Sequence, residues 1–78
     1  MENIEEKVFE ELKKLINKKY NKNVELNTVL NETGIDSLDL LDLVVEAEQE
    51  NGVTITDDEL VSMKTIEDVV KAISTKLK

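Results

Sequence analysis

The first twenty residues place their apolar side chains at helical spacing, and this periodicity limits the chain to a helical fold. The apolar positions follow one another in steps of three, four and one, which draws a single stripe along a helix. They are Ile4, Val8, Phe9, Leu12, Leu15, Ile16 and Tyr20. We predict a helix over 3–20, in which Asn3 caps the N-terminus and Lys18 and Lys19 favour the C-terminus.

Three further segments carry the same periodicity, whereas the apolar run 53–55 is too short to stand alone as a strand. The predicted helices cover 37–50, 57–62 and 66–77. Asp36 is expected to cap the first of them, with Asp39 as a weak capping-box partner. Thr56 is expected to cap the next through the capping box T-x-x-E.

A long connection over 21–35 separates the first two helices, and Gly34 supplies the turn into the second. Its apolar residues are expected to pin it to the core; they are Val24, Leu26, Val29 and Leu30. The resulting fold class is all-α, a four-helix bundle with a long first loop and a short third helix. At this length we expect a single domain over 1–78.

The charge is concentrated in the middle of the chain. Residues 25–68 sum to −12, whereas 1–24 sum to +1 and 69–78 to +3, which gives the net charge of −8. An acidic centre repels phosphate, so nucleic acid and anionic membranes are poor partners. Basic protein surfaces are the expected partners instead.

The sequence contains no Cys and no His. It therefore has no thiol nucleophile, no disulfide, no imidazole base and no Ser-His pair, and we expect no enzyme and no metal site. No apolar run is long enough for a membrane span, and the acidic N-terminus is unlike a signal peptide. We expect a monomer that works in the cytoplasm.

The second helix is apolar over an arc of about 220°, more than a bundle helix needs to bury. One sector can face the core. The other sector is predicted to lie at the surface. It contains Leu38, Leu41 and Val45 beside Asp42 and Glu46. Aliphatic side chains rimmed by acids suit a partner that presents a basic, apolar patch.

An Asp-Ser pair begins this helix, in the run 34–39 with the sequence GIDSLD. Capping alone explains such a pair in most proteins. Ser37 has no base to activate it as a nucleophile, and the run lacks the second Gly of a G-x-S-x-G elbow. A hydroxyl in a first helical turn lies beside free N–H groups, which favour an attached phosphate.

The run 34–39, followed by an acidic amphipathic helix, resembles the attachment site of acyl carrier proteins. The resemblance covers essentially the whole chain and is strongest at 34–50 and 55–73. It implies that a phosphopantetheinyl transferase moves 4′-phosphopantetheine from coenzyme A to Ser37. The thiol of that group would then carry acyl intermediates as thioesters to enzymes of fatty-acid biosynthesis.

The resemblance also implies roles for individual residues. Asp36, Leu38 and Asp39 would flank the cofactor at Ser37. Partner enzymes would dock on Leu41, Asp42, Val45, Glu46 and Glu48. The bundle interior would shelter the acyl chain among Leu43, Val44, Ala47, Ile55, Leu60, Ile66 and Val69.

Four positions depart from the pattern of fatty-acid carriers. Fatty-acid carriers usually have a large apolar residue where this chain has Ala47 and an aromatic residue where it has Asn51. They usually have Glu where it has Asp42, and often Leu where it has Thr33. The first two remove volume beside the expected acyl pocket, a type of change that costs about 2–5 kcal/mol when nothing refills the space.

These departures leave alternatives open. One is a specialised carrier for a polyketide, aminoacyl or other dedicated acyl group. Another is an acidic interaction module that is never modified. A calcium-binding protein is disfavoured because the D-x-D-x-D-G loop spacing is absent.

Overall fold

A computed structural model describes residues 3–77 and arranges them as an all-α bundle, as predicted. Its helices are α1 (Ile4–Tyr20), α2 (Ser37–Asn51), α3 (Asp57–Ser62) and α4 (Ile66–Leu77). Each bound lies within one residue of its predicted position. The structure adds a single 3-10 turn over Leu30–Glu32, inside the long first connection. Residues 1, 2 and 78 of the expected domain lie outside the described residues.

Side chains at the helix ends explain why the helices begin where they do. The Asn3 side chain accepts a hydrogen bond from the Glu5 amide at 2.8 Å, as predicted for the cap of α1. At α3 the capping box between Thr56 and Glu59 forms in full. At α2, Asp36 caps through the Leu38 amide, and the weak capping box expected with Asp39 is not among the contacts of the described residues.

The core forms where α1 and α4 pack along each other and α2 closes over them. The buried hydrophobic residues come from all these helices and from the connections between them. They are Val8, Leu12, Ile16, Val24, Leu43, Val44, Ala47, Ile55, Ile66, Val69, Val70 and Ile73. This aliphatic core holds the middle of α2 through Leu43, Val44 and Ala47, and the GIDSLD run leads into the N-terminal end of that helix.

The first connection is fastened to the start of α4 mainly through its backbone. The amides of Ile66 and Glu67 donate to the carbonyls of Thr28 and Leu26 at 3.0 and 2.9 Å, which satisfies two free donors of the α4 N-terminus. The prediction that the Leu26 side chain pins the loop is wrong, because that side chain is 40% exposed. Val24, by contrast, is buried as expected.

In the stretch from residue 3 to residue 77, no helix combines the length and the apolar character that a membrane crossing requires.

Candidate functional site

The GIDSLD run forms a tight turn followed by the first turn of α2. Gly34 has φ = 79°, in the left-handed region where glycine is favoured, and this reversal directs the chain into the helix. Asp36 is the N-cap, and Ser37 is the first helical residue. The Ser37 side chain is therefore exposed at the end of the bundle, as its position in the sequence predicted.

One carboxylate oxygen organises the polar groups around Ser37. Asp36 Oδ1 accepts from the Ser37 hydroxyl at 3.4 Å and from the Leu38 amide at 3.3 Å. The cap thus fixes the helix start and also lies within reach of the hydroxyl. The remaining amides of the first turn have no intrahelical acceptor and give this end of α2 a partial positive charge.

The C-terminal end of α1 holds α2 from the other side. The Tyr20 hydroxyl donates to the Asp39 carbonyl at 3.2 Å, and Lys19 forms an ion pair with Glu46. Burial and the Asp39 charge raise the pKa of Tyr20 above its ordinary value. The hydrogen bond to Glu46 raises the pKa of Lys19. These contacts attach α2 to the C-terminal end of α1.

The outward face of α2 is apolar and acidic, as the two-sector pattern predicted. Leu38, Leu41 and Val45 are 70%, 42% and 40% exposed, and the carboxylates of Asp39 and Asp42 lie on the exposed side of the same helix. We call these five residues the α2 face. Their exposure excludes a bundle that wraps α2 completely.

Two acids predicted for docking also have partners within the fold. Glu46 is half-buried and forms an ion pair with Lys19. Glu48 is also half-buried, and its carboxylate accepts a hydrogen bond from the Ile55 amide at 3.0 Å. Both side chains therefore help to hold α2 against its neighbours, and their role in docking stays a prediction. Sequence spacing alone does not distinguish a free acid from one with an internal partner.

An apolar cleft of about 380 Å³ opens beside Ser37, between α2 and α3. We call it the α2–α3 cleft. Its lining residues are Leu12, Leu30, Asn31, Ser37, Leu38, Leu40, Leu41, Leu43, Val44, Leu60, Met63, Ile66 and Val69. Five of the seven residues expected around an acyl chain line it, whereas Ala47 and Ile55 are buried but do not.

The structure also brings to the cleft residues that the sequence analysis did not single out for it. Leu12 lies on the core stripe of α1, and Leu30 and Met63 lie in connections. Only their place in the three-dimensional fold, and no local pattern, distinguishes them from other apolar residues.

The small residue at position 47 does not line the cleft. Ala47 is buried near the C-terminal end of α2, where its carbonyl accepts from Asn51 Nδ2 at 2.8 Å. Asn51 thus turns its side-chain amide back onto the last turn of its own helix. The two departures belong to the α2 terminus, and the cleft is formed by other side chains.

Among residues 3–77 no three carboxylates lie close enough to hold a metal ion.

Comparison with known proteins places this fold and site in one class. A family model described as a phosphopantetheine attachment site matches residues 8–73. The acyl carrier protein of Coprothermobacter proteolyticus is 37% identical over 92% of this chain and 93% of its own length. That of Thermotoga maritima is 36% identical over 92% of this chain and 94% of its own.

A solved structure confirms the architecture. The solution structure of MacpD, an acyl carrier protein from Pseudomonas fluorescens, superposes with a TM-score of 0.83 at 22% identity, covering 94% of this chain and 73% of that one. The fold is therefore that of a phosphopantetheine-bearing carrier domain. This chain belongs to the acyl carrier protein family, whose members carry acyl groups on 4′-phosphopantetheine and are not themselves catalysts. Such carriers act with a phosphopantetheinyl transferase and with acyl-handling enzymes.

Proposed function

We propose that the Ser37 hydroxyl is the attachment point of 4′-phosphopantetheine. The observation that carries this proposal is the position of Ser37, exposed in the first turn of α2 and at the edge of an apolar cleft. A transferase can reach the hydroxyl from solvent, and a chain attached there can turn either outward to an enzyme or inward to the cleft.

The residues around Ser37 suit the attached group. Its phosphodiester is an anion, and the free amides and dipole of the α2 N-terminus favour an anion at that position. When bound, the group supplies a thiol that forms thioesters. This chain has no thiol of its own, because it contains no Cys. The apolar lining of the α2–α3 cleft suits the aliphatic part of an acyl chain, because burial there removes methylene groups from water.

We propose that partner enzymes recognise the α2 face. Asp36 and Asp39 flank the attachment point and are suited to the transferase. Leu38, Leu41 and Val45 offer aliphatic contacts, and the exposed carboxylate of Asp42 lies beside them. A partner with a basic patch around an apolar pocket is complementary to such a surface, and its charges would speed the encounter.

The pathway we propose is fatty-acid biosynthesis. The cleft supports it, because all its lining residues except Asn31 and Ser37 are apolar, which suits a fully reduced chain. The alternative is a dedicated carrier for a polyketide, aminoacyl or other acyl group. MacpD is described as involved in mupirocin biosynthesis, so a carrier of this fold can serve a dedicated pathway.

We further propose that residues 1–78 act as one domain and as a monomer. A monomer leaves the α2 face free for successive enzymes. The cytoplasm is the proposed location, because coenzyme A is the source of the attached group and a reducing compartment keeps its thiol free.

Intact-mass measurement after incubation with coenzyme A, Mg²⁺ and a broad-specificity transferase tests the attachment. The wild-type protein should gain one phosphopantetheinyl group, and Ser37→Ala should gain none. Ser62→Ala, which removes an exposed hydroxyl from α3, is the matched control and should be modified like the wild type. Modification of Ser37→Ala, or none of the wild type, would overturn the proposal. The protein would then be purified from its own cells and the acyl groups bound to it as thioesters identified. Their chemical type would distinguish fatty-acid biosynthesis from a dedicated pathway.

A further inference from the structure

The short helix α3 forms one wall of the α2–α3 cleft and has open space on its other side. Leu60 and Met63 line the cleft. Beyond them, a groove of about 280 Å³ runs between α3 and α4, bordered by Ser62 and Met63 on one side and by Ala72 and Thr75 on the other. We call it the α3–α4 groove. Met63 borders both spaces, so a shift of α3 toward the groove would widen the cleft.

A charged contact ties α3 to α4 beside this groove. Lys76 Nζ lies 3.0 Å from Glu59 Oε1, with the two side chains 29% and 35% exposed. The same Glu59 oxygen accepts from the Thr56 amide at 3.1 Å and from the Thr56 hydroxyl at 3.0 Å. Glu59 therefore both starts α3 and anchors it to the last turn of α4.

The rest of α3 is weakly held. It has six residues, less than two turns, and Val61 in its middle is 81% exposed. An isolated helix of this length is unstable, so its position depends on the tertiary contacts that hold it. The hydrogen bonds of Glu59 and the half-buried Leu60 and Met63 supply those contacts.

We propose that the Glu59–Lys76 ion pair sets how far α3 yields to a bound acyl chain, and therefore which chain lengths the α2–α3 cleft shelters. Because it concerns the cargo held at Ser37, this inference rests on the proposed function. With the pair intact, α3 stays close to α2 and the cleft favours shorter chains. When the pair is broken, α3 moves toward the α3–α4 groove and longer chains gain shelter.

Lys76→Gln is the test variant, because it breaks the pair while leaving the Thr56–Glu59 capping box in place. Lys71→Gln is the matched control, since it removes the same charge from the same helix. Lys71 borders the groove too, but its ion pair, at 3.9 Å, is with Glu67 in α4 itself. Lys76→Arg keeps the charge and should behave like the wild type.

The first measurement is amide hydrogen exchange of the unloaded protein by NMR. The Leu60 and Met63 amides, which bond within α3, should exchange about two- to five-fold faster in Lys76→Gln, as expected for the loss of a partly exposed ion pair. The core amides of α1 should not change. Equal exchange in the Lys76→Gln and Lys71→Gln proteins would overturn the proposal.

The second measurement loads each protein at Ser37 with hexanoyl, decanoyl or tetradecanoyl phosphopantetheine and follows thioester cleavage by hydroxylamine. In Lys76→Gln the chain length that gives the slowest cleavage should shift to longer chains. If the acyl-chain length that gives the slowest cleavage is unchanged, the proposal is also overturned. If the wild type cannot be loaded at all, the proposed function is refuted instead. The exchange measurement uses unloaded protein, so it would still show whether the Glu59–Lys76 ion pair holds α3 in place.

Discussion

Ser74 is a buried hydroxyl in the middle of the hydrophobic core, and its removal should make the protein more stable. The side chain is 1% exposed, and among the described residues its Oγ has no hydrogen-bond partner. A hydroxyl taken from water without a replacement bond costs about 1–3 kcal/mol in proteins. That cost falls on the folded state alone.

Ser74→Ala removes the oxygen and leaves an apolar methyl group in the same position. Alanine also favours a helix over serine by about 0.5 kcal/mol. Together the two effects predict a rise of about 2 kcal/mol in the free energy of unfolding. For a domain of this size that corresponds to an increase of roughly 10 °C in Tm.

Urea denaturation followed by circular dichroism at the helical minimum gives the comparison. Thr75→Ala is the control, because Thr75 is the exposed neighbour in the same helix and its substitution changes helix propensity without removing a buried polar group. If Ser74→Ala gains no more than Thr75→Ala, then the Ser74 hydroxyl finds a partner in solution, and the reasoning from an unpaired oxygen is refuted.

Three further predictions concern the turn, the α2 face and the start of α4. Gly34→Ala should lower the free energy of unfolding by about 1–2 kcal/mol for the left-handed backbone alone. It should cost about as much as Gly52→Ala, because both glycines have positive φ and neither Cβ would meet a rigid neighbour: at Gly34 the nearest atom is the flexible end of Lys22, with Nζ at 3.3 Å, and at Gly52 nothing lies within 4 Å. A clearly larger loss for Gly34→Ala in urea titrations would contradict this. Asp42→Lys should slow phosphopantetheinyl transfer, and the difference from wild type should shrink as salt rises, because screening weakens attraction between exposed charges; a salt-independent difference would exclude steering by this acid. Hydrogen bonds from the Lys64 and Thr65 amides lower the pKa of Asp68. Since the folded pKa lies below the unfolded one, this stabilisation is present above the unfolded pKa near 4 and is lost as the pH falls through the folded pKa. Asp68→Asn should therefore show a smaller loss of stability between neutral and acid pH than the wild type, and identical pH profiles would contradict the assignment.

Helix positions could be predicted from the sequence because local signals determine them. The apolar stripe of α1, the T-x-x-E box of α3 and the Asn51-Gly52 stop of α2 each act within a few residues. The place of Ser37 follows from the same kind of signal, since Asp36 caps the helix that Ser37 begins. These features need no knowledge of what packs against them.

Features that depend on distant residues could not be predicted in this way. Glu46 and Glu48 look like free acids on a helix, yet Glu46 pairs with Lys19 in α1 and Glu48 accepts a hydrogen bond from the Ile55 amide beyond the end of α2. Leu26 reads as an apolar anchor, but the backbone of its segment makes the contact. The α2–α3 cleft lies between elements whose separation is fixed only by the assembled core.

The contact between Tyr20 and the Asp39 carbonyl makes the intrinsic fluorescence of Tyr20 sensitive to changes near Ser37. The sequence has one tyrosine and no tryptophan, so ultraviolet emission comes from a single ring. That ring is hydrogen-bonded two residues beyond Ser37, in the first turn of α2. Changes at this end of the bundle, such as the arrival of a group on Ser37 or of an enzyme on the α2 face, should alter its emission intensity and lifetime. Carrier loading can thus be followed in real time without attaching a dye to the surface that partners must recognise.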